Sequence, residues 1–128
     1  MYLNPDCIRD ILIVVEDMEY NSTLTFNSLC LKLPSYTPET LNYHCLKMID
    51  AGLLDALTCS IPCQVLPQLS RISDLTYQGH QFLAQIRSDN IWSNVKDISK
   101  KVGTTSISAI SNIASNVVSA LISNHLGL

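Results

Sequence analysis

Apolar residues recur at helical spacing near the N-terminus and predict a first helix there. Asn4, Pro5 and Asp6 form its start signal, because an Asn side chain accepts backbone hydrogen bonds at an N-cap, proline suits the first helical position and an acid suits the first turn. A short strand over residues 23–26 and a short helix over residues 27–33 are expected next. The apolar face of the first helix consists of Ile8, Ile11, Leu12, Val15 and Met18.

The clearest local pattern covers residues 37–54. Thr37 as N-cap, Pro38 at the first helical position and Glu39 in the first turn predict the start of a third helix. Gly52 predicts its end, because glycine readily adopts the left-handed conformation that closes a helix. The inner face of this helix is predicted to contain Leu41, Cys45, Met48 and Ile49.

Partial alternation of apolar and polar residues over 53–60 and 66–74 predicts a β-hairpin. Thr76 is placed to cap a fourth helix, and the apolar spacing changes phase near residues 88–90, where a fifth helix is expected to begin. Gly103 is expected to end the fifth helix. A final helix has a polar face of Ser and Asn and an apolar stripe formed by Ile110, Ile113, Ala114, Val117, Val118, Leu121 and Ile122.

This order of helices around a β-hairpin is typical of a winged helix-turn-helix domain. The sequence therefore predicts a fold that is mainly α with a small β-hairpin. A winged-helix domain is expected over residues 1–87. Two appended helices over residues 88–128 are expected to form a C-terminal helical extension, which is a candidate for dimerisation.

The composition is that of a globular, acidic protein. The 128 residues carry a formal net charge of −3, which disfavours bulk attraction to nucleic acid or to an anionic membrane. The chain does not begin with a basic and then apolar signal segment, and no apolar run reaches the ~18 residues of a membrane span. Five cysteines without regular spacing are expected to be reduced thiols. These features predict a cytoplasmic protein without a membrane partner.

Three blocks of the sequence together resemble one family of small proteins. They are MYLNPDCIRDIL at residues 1–12, residues 36–54 with the core HCLKMIDAGLL, and DLTYQGHQFLAQIRSDNIW at residues 74–92, followed by KKVG and a closing LGL. With these blocks the chain resembles domain-of-unknown-function family 2513 over nearly its whole length. The resemblance implies a winged-helix-like fold and carriage on bacterial phages or other mobile elements. It implies no catalytic residues.

The outer face of the third helix is the candidate site for a protein partner. If Leu41, Cys45 and Met48 point inward, the solvent side presents Glu39, Tyr43, Leu46, Lys47 and Asp50. Two acids, one lysine and two apolar side chains suit a protein interface better than contact with DNA phosphates. In the alternative interpretation, Tyr43 and Leu46 are covered by the C-terminal helices of the same chain.

We therefore expect a non-enzymatic protein that acts by binding another protein, which belongs to the host or to the phage. Through this contact it would regulate or inhibit a host system. The alternative is a DNA-binding transcriptional regulator, whose candidate nucleic-acid contacts are Lys47, Arg71, Lys96, Lys100 and Lys101. The apolar stripe of the final helix either packs on the first helix of the same chain or forms a homodimer. The dimer contacts would be Ile110, Ile113, Val117 and Leu121.

No enzymatic activity, cofactor or metal is expected. His44 and Cys45 are neighbours in a helix, so their side chains diverge by roughly 100° and do not form a nucleophile–base pair. Cys59 and Cys63 lack the second pair of ligands that would complete a zinc site. Four well-separated glycines form no phosphate-binding loop.

Overall fold

The computed structural model describes residues 1–127, which form six helices and one three-stranded antiparallel sheet. This confirms a mainly helical protein with a small β component. Helices and strands follow in the order α1 (Pro5–Glu16), β1 (Leu24–Thr25), α2 (Phe26–Lys32), α3 (Pro38–Asp50), β2 (Leu54–Cys59), β3 (Gln68–Leu75), α4 (Tyr77–Ile86), α5 (Asp89–Val102) and α6 (Ile107–Leu126).

The chain divides into two compact units, Met1–His80 and Gln81–Leu128. The boundary lies within α4, so the first unit contains the sheet and the first three helices, and the second contains α5 and α6. The sequence predicted a boundary after residue 87. That boundary describes the extent of a winged-helix domain, which is not the same as a compact unit, so it stays a prediction. None of the helices in residues 1–127 is both long and apolar enough to cross a bilayer.

Side-chain caps set the starts of the first three helices. The Asn4 Oδ1 accepts the Asp6 N–H at 3.0 Å, as expected from the start signal. The Thr37 Oγ1 accepts the N–H of Thr40 at 3.2 Å and fixes the start of α3. Thr25 caps α2 in the same way, which makes Phe26 helical and shortens the predicted strand to two residues.

The end of α3 follows the glycine signal in the sequence. Gly52 has φ +75, and the Leu53 N–H donates to the Met48 carbonyl at 2.9 Å, which closes the helix and turns the chain into β2. The prediction for the inner face was wrong at one position. His44 is buried at 1% exposure, whereas Ile49 is half-buried at the edge of the helix.

The predicted hairpin is formed by β2 and β3, and β3 is the central strand of the sheet. Leu54 pairs with Leu75 at the open end of the hairpin, and Cys59 pairs with Gln68 next to the connecting loop. β1 pairs with the other edge of β3 through Leu24. The helix α1 packs against both α3 and β3, so the core of the first unit lies between these elements. Its largest fully buried side chains include Ile11, Leu12, Leu29, Leu41, Met48, Leu69 and Ile72.

A close contact joins the start of α4 to the end of α3. The Thr76 hydroxyl donates to the Gly52 carbonyl and accepts the Gly79 N–H at 3.0 Å, so it caps α4 as predicted. A Cβ at Gly79 would fall well inside van der Waals contact with the Leu53 carbonyl oxygen. Glycine is therefore needed at position 79 by close backbone approach, although its φ is ordinary.

In the second unit, α5 and α6 pack against each other, and α5 ends at Gly103, whose φ is +80. The N-terminal half of the apolar stripe on α6 is covered, since Ile110 and Ala114 are buried. Its C-terminal half is open, since Leu121 is 45% exposed and Ile122 is 53% exposed. Of the four predicted dimer contacts, Ile110 is therefore enclosed within the chain, and Ile113 and Val117 are half-buried.

Candidate functional site

A groove of about 900 Å³ lies in the first unit between the outer face of α3 and the turn end of the hairpin. We call it the α3 groove, and we call residues 64–68 the return arm, because this segment leads back into β3. The groove brings together all five residues that the sequence predicted for partner binding. These residues are Glu39, Tyr43, Leu46, Lys47 and Asp50.

The return arm is the wall of the groove that the sequence analysis missed. Val65 is 98% exposed and Leu66 is 51% exposed, so two large apolar side chains face solvent beside the outer face of α3. Met1 and Phe26 also line the groove. An apolar pair inside a loop between prolines was the available signal, since loop residues without a partner are usually polar.

Asn42 fixes the position of the return arm. Its Nδ2 donates to the Pro67 carbonyl at 3.1 Å, and its Oδ1 accepts the Leu69 N–H at 2.7 Å. One amide side chain on α3 thus satisfies two backbone groups where the arm enters β3. Because the two hydrogen bonds connect segments 25 to 27 residues apart in the chain, they fix the position of the return arm relative to α3.

The charges in the groove are few and mostly balanced. The Lys47 Nζ lies 4.0 Å from an Asp50 carboxylate oxygen and 5.4 Å from the centre of the Tyr43 ring. The ammonium group of Lys47 therefore interacts with Asp50 and Tyr43 of the same helix. Glu39 is exposed, and it has no ion pair among residues 1–127. The side chains that line the groove carry two carboxylates and one ammonium group.

The basic residues proposed as nucleic-acid contacts lie elsewhere, with the exception of Lys47. Arg71 is exposed on β3, opposite Leu57 of β2. In the second unit, Lys100 and Lys101 are exposed in the last turn of α5. Lys96 lies one turn earlier, with its Nζ 6.0 Å from the centre of the Trp92 ring.

The histidines do not form a catalytic arrangement in the described residues. The His44 Nε2 accepts the Asn4 N–H at 2.7 Å, and its Nδ1 lies 2.7 Å from the Thr40 carbonyl oxygen, so neither nitrogen is free to act as a base. His80 is exposed, 3.9 Å from an Asp74 carboxylate oxygen. His125 is exposed in the last turn of α6.

Cysteine chemistry in the first unit is suppressed by burial. Burial, with a smaller contribution from Asp10, raises the pKa of Cys7 to about 12, and burial also raises the pKa of Cys45 to about 12. Both thiols therefore stay protonated and poorly nucleophilic near neutral pH. No group of three or more His, Cys, Asp or Glu residues in positions 1–127 could hold a metal ion.

Comparison with known proteins identifies the family. A family model described as "Hypothetical protein (DUF2513)" matches residues 2–106. The chain belongs to this family. The match confirms the resemblance indicated by the three sequence blocks. An uncharacterized protein of Haemophilus influenzae Rd is 32% identical to this DUF2513 protein over 124 residues, which cover 95% of the present chain and 99% of the relative. No solved structure matches the chain.

Proposed function

We propose that this DUF2513 protein is a non-enzymatic regulator, encoded by a phage or another mobile element, that binds another protein through the α3 groove. Its partner would be a host or phage protein in the bacterial cytoplasm, whose activity it inhibits or regulates. The observation that carries the proposal is the groove itself, which is preformed, largely apolar at its centre and flanked by few charges. These are the properties of the buried centre of a protein interface.

Two exposed apolar side chains opposite α3 strengthen this proposal. Val65 and Leu66 expose hydrophobic surface on the return arm, and Tyr43 and Leu46 lie half-buried on the facing helix. A partner that covers both walls would remove these four side chains from water at once. Aromatic and aliphatic anchors enclosed in this way contribute most of the binding energy in typical interfaces.

We further propose that the first unit is a winged helix. The supporting features are the order α1, β1, α2, α3 and hairpin, and the pairing of β1 with β3. In helix-turn-helix proteins, the second helix of the motif enters the major groove of DNA. In this chain the corresponding helix is α3, whose outer face carries two acids and a lysine that is already paired.

A DNA-binding transcriptional regulator is the second candidate. The observation in its favour is the exposed pair Lys100 and Lys101 with Lys96 one turn away on α5. Against it, useful affinity for duplex DNA takes on the order of 6–10 phosphate contacts. The whole chain has eight Lys and Arg residues among eleven acids. A gel-shift assay at low salt against the promoter of its own gene would favour this candidate if binding were tight and weakened steeply with added salt.

Site-specific photo-crosslinking in the native host tests the main proposal. A photoreactive benzoylphenylalanine replaces Val65 in the groove or Tyr20, which is fully exposed and does not line the groove. We expect a light-dependent adduct with one protein from position 65 and none from position 20. Mass spectrometry of the adduct identifies the partner and the contacting segment. Adducts from both positions alike, or from neither, would contradict binding through the groove.

We also propose a homodimer formed through the C-terminal half of α6. The 20-residue helix contains no Asp, Glu, Lys or Arg, so two copies can approach in either direction without repulsion between charges. Leu121, Ile122 and Leu126 are 45%, 53% and 62% exposed, although they continue an apolar stripe whose first half is buried. A second copy of α6 presents a matching apolar stripe that would cover these side chains.

A further inference from the structure

The α3 groove has a length that sets the size of a linear ligand. The 13 residues of α3 give the groove a length of about 20 Å at 1.5 Å per residue. An extended segment rises about 3.3 Å per residue, so about five or six residues cover most of this length.

The charges select the chemistry of that ligand. Lys47 is balanced by Asp50 within α3, and Glu39 at the opposite end of the groove has no ion pair among the described residues. A ligand with a positive charge at the Glu39 end would complement that carboxylate, and a ligand with an acid at that end would be repelled by it. The centre, between Tyr43 and Leu46 on one side and Val65 on the other, suits apolar side chains.

Resting on the proposed function, we propose that the α3 groove takes an extended segment of the partner protein, about five or six residues long, with a Lys or Arg at the Glu39 end. In an extended chain successive side chains point to opposite sides. Apolar residues at alternate positions therefore face Tyr43 and Leu46, and an apolar residue between them contacts the return arm. The rigid connection from Asn42 to the arm keeps the groove open to receive such a segment.

Selection from a random heptapeptide library displayed on phage tests this ligand class with the full chain as bait. Val65→Glu serves as the counter-selecting variant, because a carboxylate in the groove opposes apolar binding and position 65 is too exposed for the change to disturb folding. Tyr20→Glu is the matched control, since it places the same charge at an equally exposed site outside the groove. Enriched peptides are then measured by fluorescence anisotropy.

We expect peptides that bind the wild type and Tyr20→Glu alike, lose at least about tenfold in affinity for Val65→Glu, and share a basic residue at one end of an apolar stretch. Glu39→Lys should weaken them about two- to fivefold, as for an exposed ion pair. Glu19→Lys makes the same charge change at an exposed site outside the groove and should leave the affinity unchanged.

Two results would overturn the inference. One is a set of groove-dependent peptides that are acidic, uncharged or insensitive to Glu39→Lys. The other is the absence of any peptide that distinguishes the wild type from Val65→Glu. If position 65 still crosslinks to a protein in either case, the proposed function stands, and the partner contacts the groove through a different kind of surface. If crosslinking fails as well, both proposals fall.

Discussion

At the scale of single residues, His44 shows how the first unit accommodates a polar side chain in an apolar interior. Its Nε2 must accept the Asn4 N–H, and its Nδ1 must donate to the Thr40 carbonyl, so the two partners assign a neutral ring protonated at Nδ1. The ring thereby joins the chain that enters α1 to the buried side of α3. The residue is a structural connector behind the helix that forms the groove.

Replacing His44 with alanine should destabilise the protein by about 2–4 kcal/mol. The change leaves a cavity and an unpaired Asn4 N–H. Urea unfolding followed by circular dichroism measures the loss. His80→Ala is the control, because His80 is exposed and its removal should change stability by no more than about 0.5 kcal/mol. Equal effects of the two substitutions would contradict the structural role of His44.

The five cysteines should differ sharply in reactivity. Cys59 and Cys63 are exposed in the hairpin, whereas Cys7 and Cys45 are buried and have their pKa raised to about 12. At pH 8, Ellman's reagent should therefore modify two thiols rapidly and Cys30, which is half-buried with a raised pKa, more slowly. Cys7 and Cys45 should react only after denaturation. Rapid modification of four or more thiols in the native protein would contradict the burial of Cys7 and Cys45.

The same two thiols make stability depend on alkaline pH. In the unfolded chain they ionise near the ordinary value of 9.0, whereas in the folded protein they stay neutral until about 12. The contribution of these two neutral thiols to the free energy of unfolding is therefore complete below pH 9, and it is lost as the pH rises toward 12. Urea unfolding at a series of pH values should show this decline. In the Cys45→Ala variant, the free energy of unfolding should decline less from its value at pH 7 than it does in the wild type. An equal decline in both proteins would contradict the raised pKa of Cys45.

At the scale of elements, the position of the return arm depends on one side chain of α3. Asn42→Ala removes both hydrogen bonds to the arm and should lower the free energy of unfolding by about 1–3 kcal/mol. Asn42→Asp keeps the acceptor for the Leu69 N–H and loses the donor to Pro67. We expect amide exchange at Leu69 to accelerate strongly in the alanine variant and less in the aspartate variant. Equal exchange in all three proteins would show that other contacts hold the arm.

The helix α3 and the return arm illustrate which elements the sequence predicts. The limits of α3 were predicted closely, because Thr37, Pro38 and Gly52 act on their own neighbours in the chain. The arm was not predicted as part of the site. Its placement depends on bonds from Asn42 to a segment 25 residues away, and no local pattern encodes that contact. The outer face of α3 was thus found from periodicity, and the wall opposite it was not.

The buried face of α3 also depends on contacts that the local sequence pattern does not contain. The predicted inner face included the hydrophobic Ile49 and left out the polar His44. The structure buries His44, because Asn4 and Thr40 satisfy both ring nitrogens, and it leaves Ile49 half-buried beside the groove. A polar residue can be enclosed when its partners are supplied from elsewhere, and a single-helix pattern does not contain those partners.

At the scale of the whole molecule, the two units divide the proposed functions between them. The first unit contains the groove, with few charged side chains and a preformed shape. The second contains two helices, the three clustered lysines of α5 and an apolar stripe that is only partly covered. A regulator that binds its partner with one unit and a second copy of itself with the other would present two grooves, which raises its avidity for a partner with two copies of the bound segment.

Dimerisation is the last prediction, and light scattering coupled to size-exclusion chromatography tests it. At micromolar concentration the wild type should have twice the mass of one chain, because Leu121 and Ile122 lose their exposure only against a second apolar surface. Leu121→Ser combined with Ile122→Asn should yield a monomer with unchanged helix content. Ser119→Asn combined with Ala120→Ser alters exposed positions off the stripe and should remain dimeric. A monomeric wild type would refute the dimer and would leave the groove-binding proposal intact, since every residue that lines the groove belongs to the first unit.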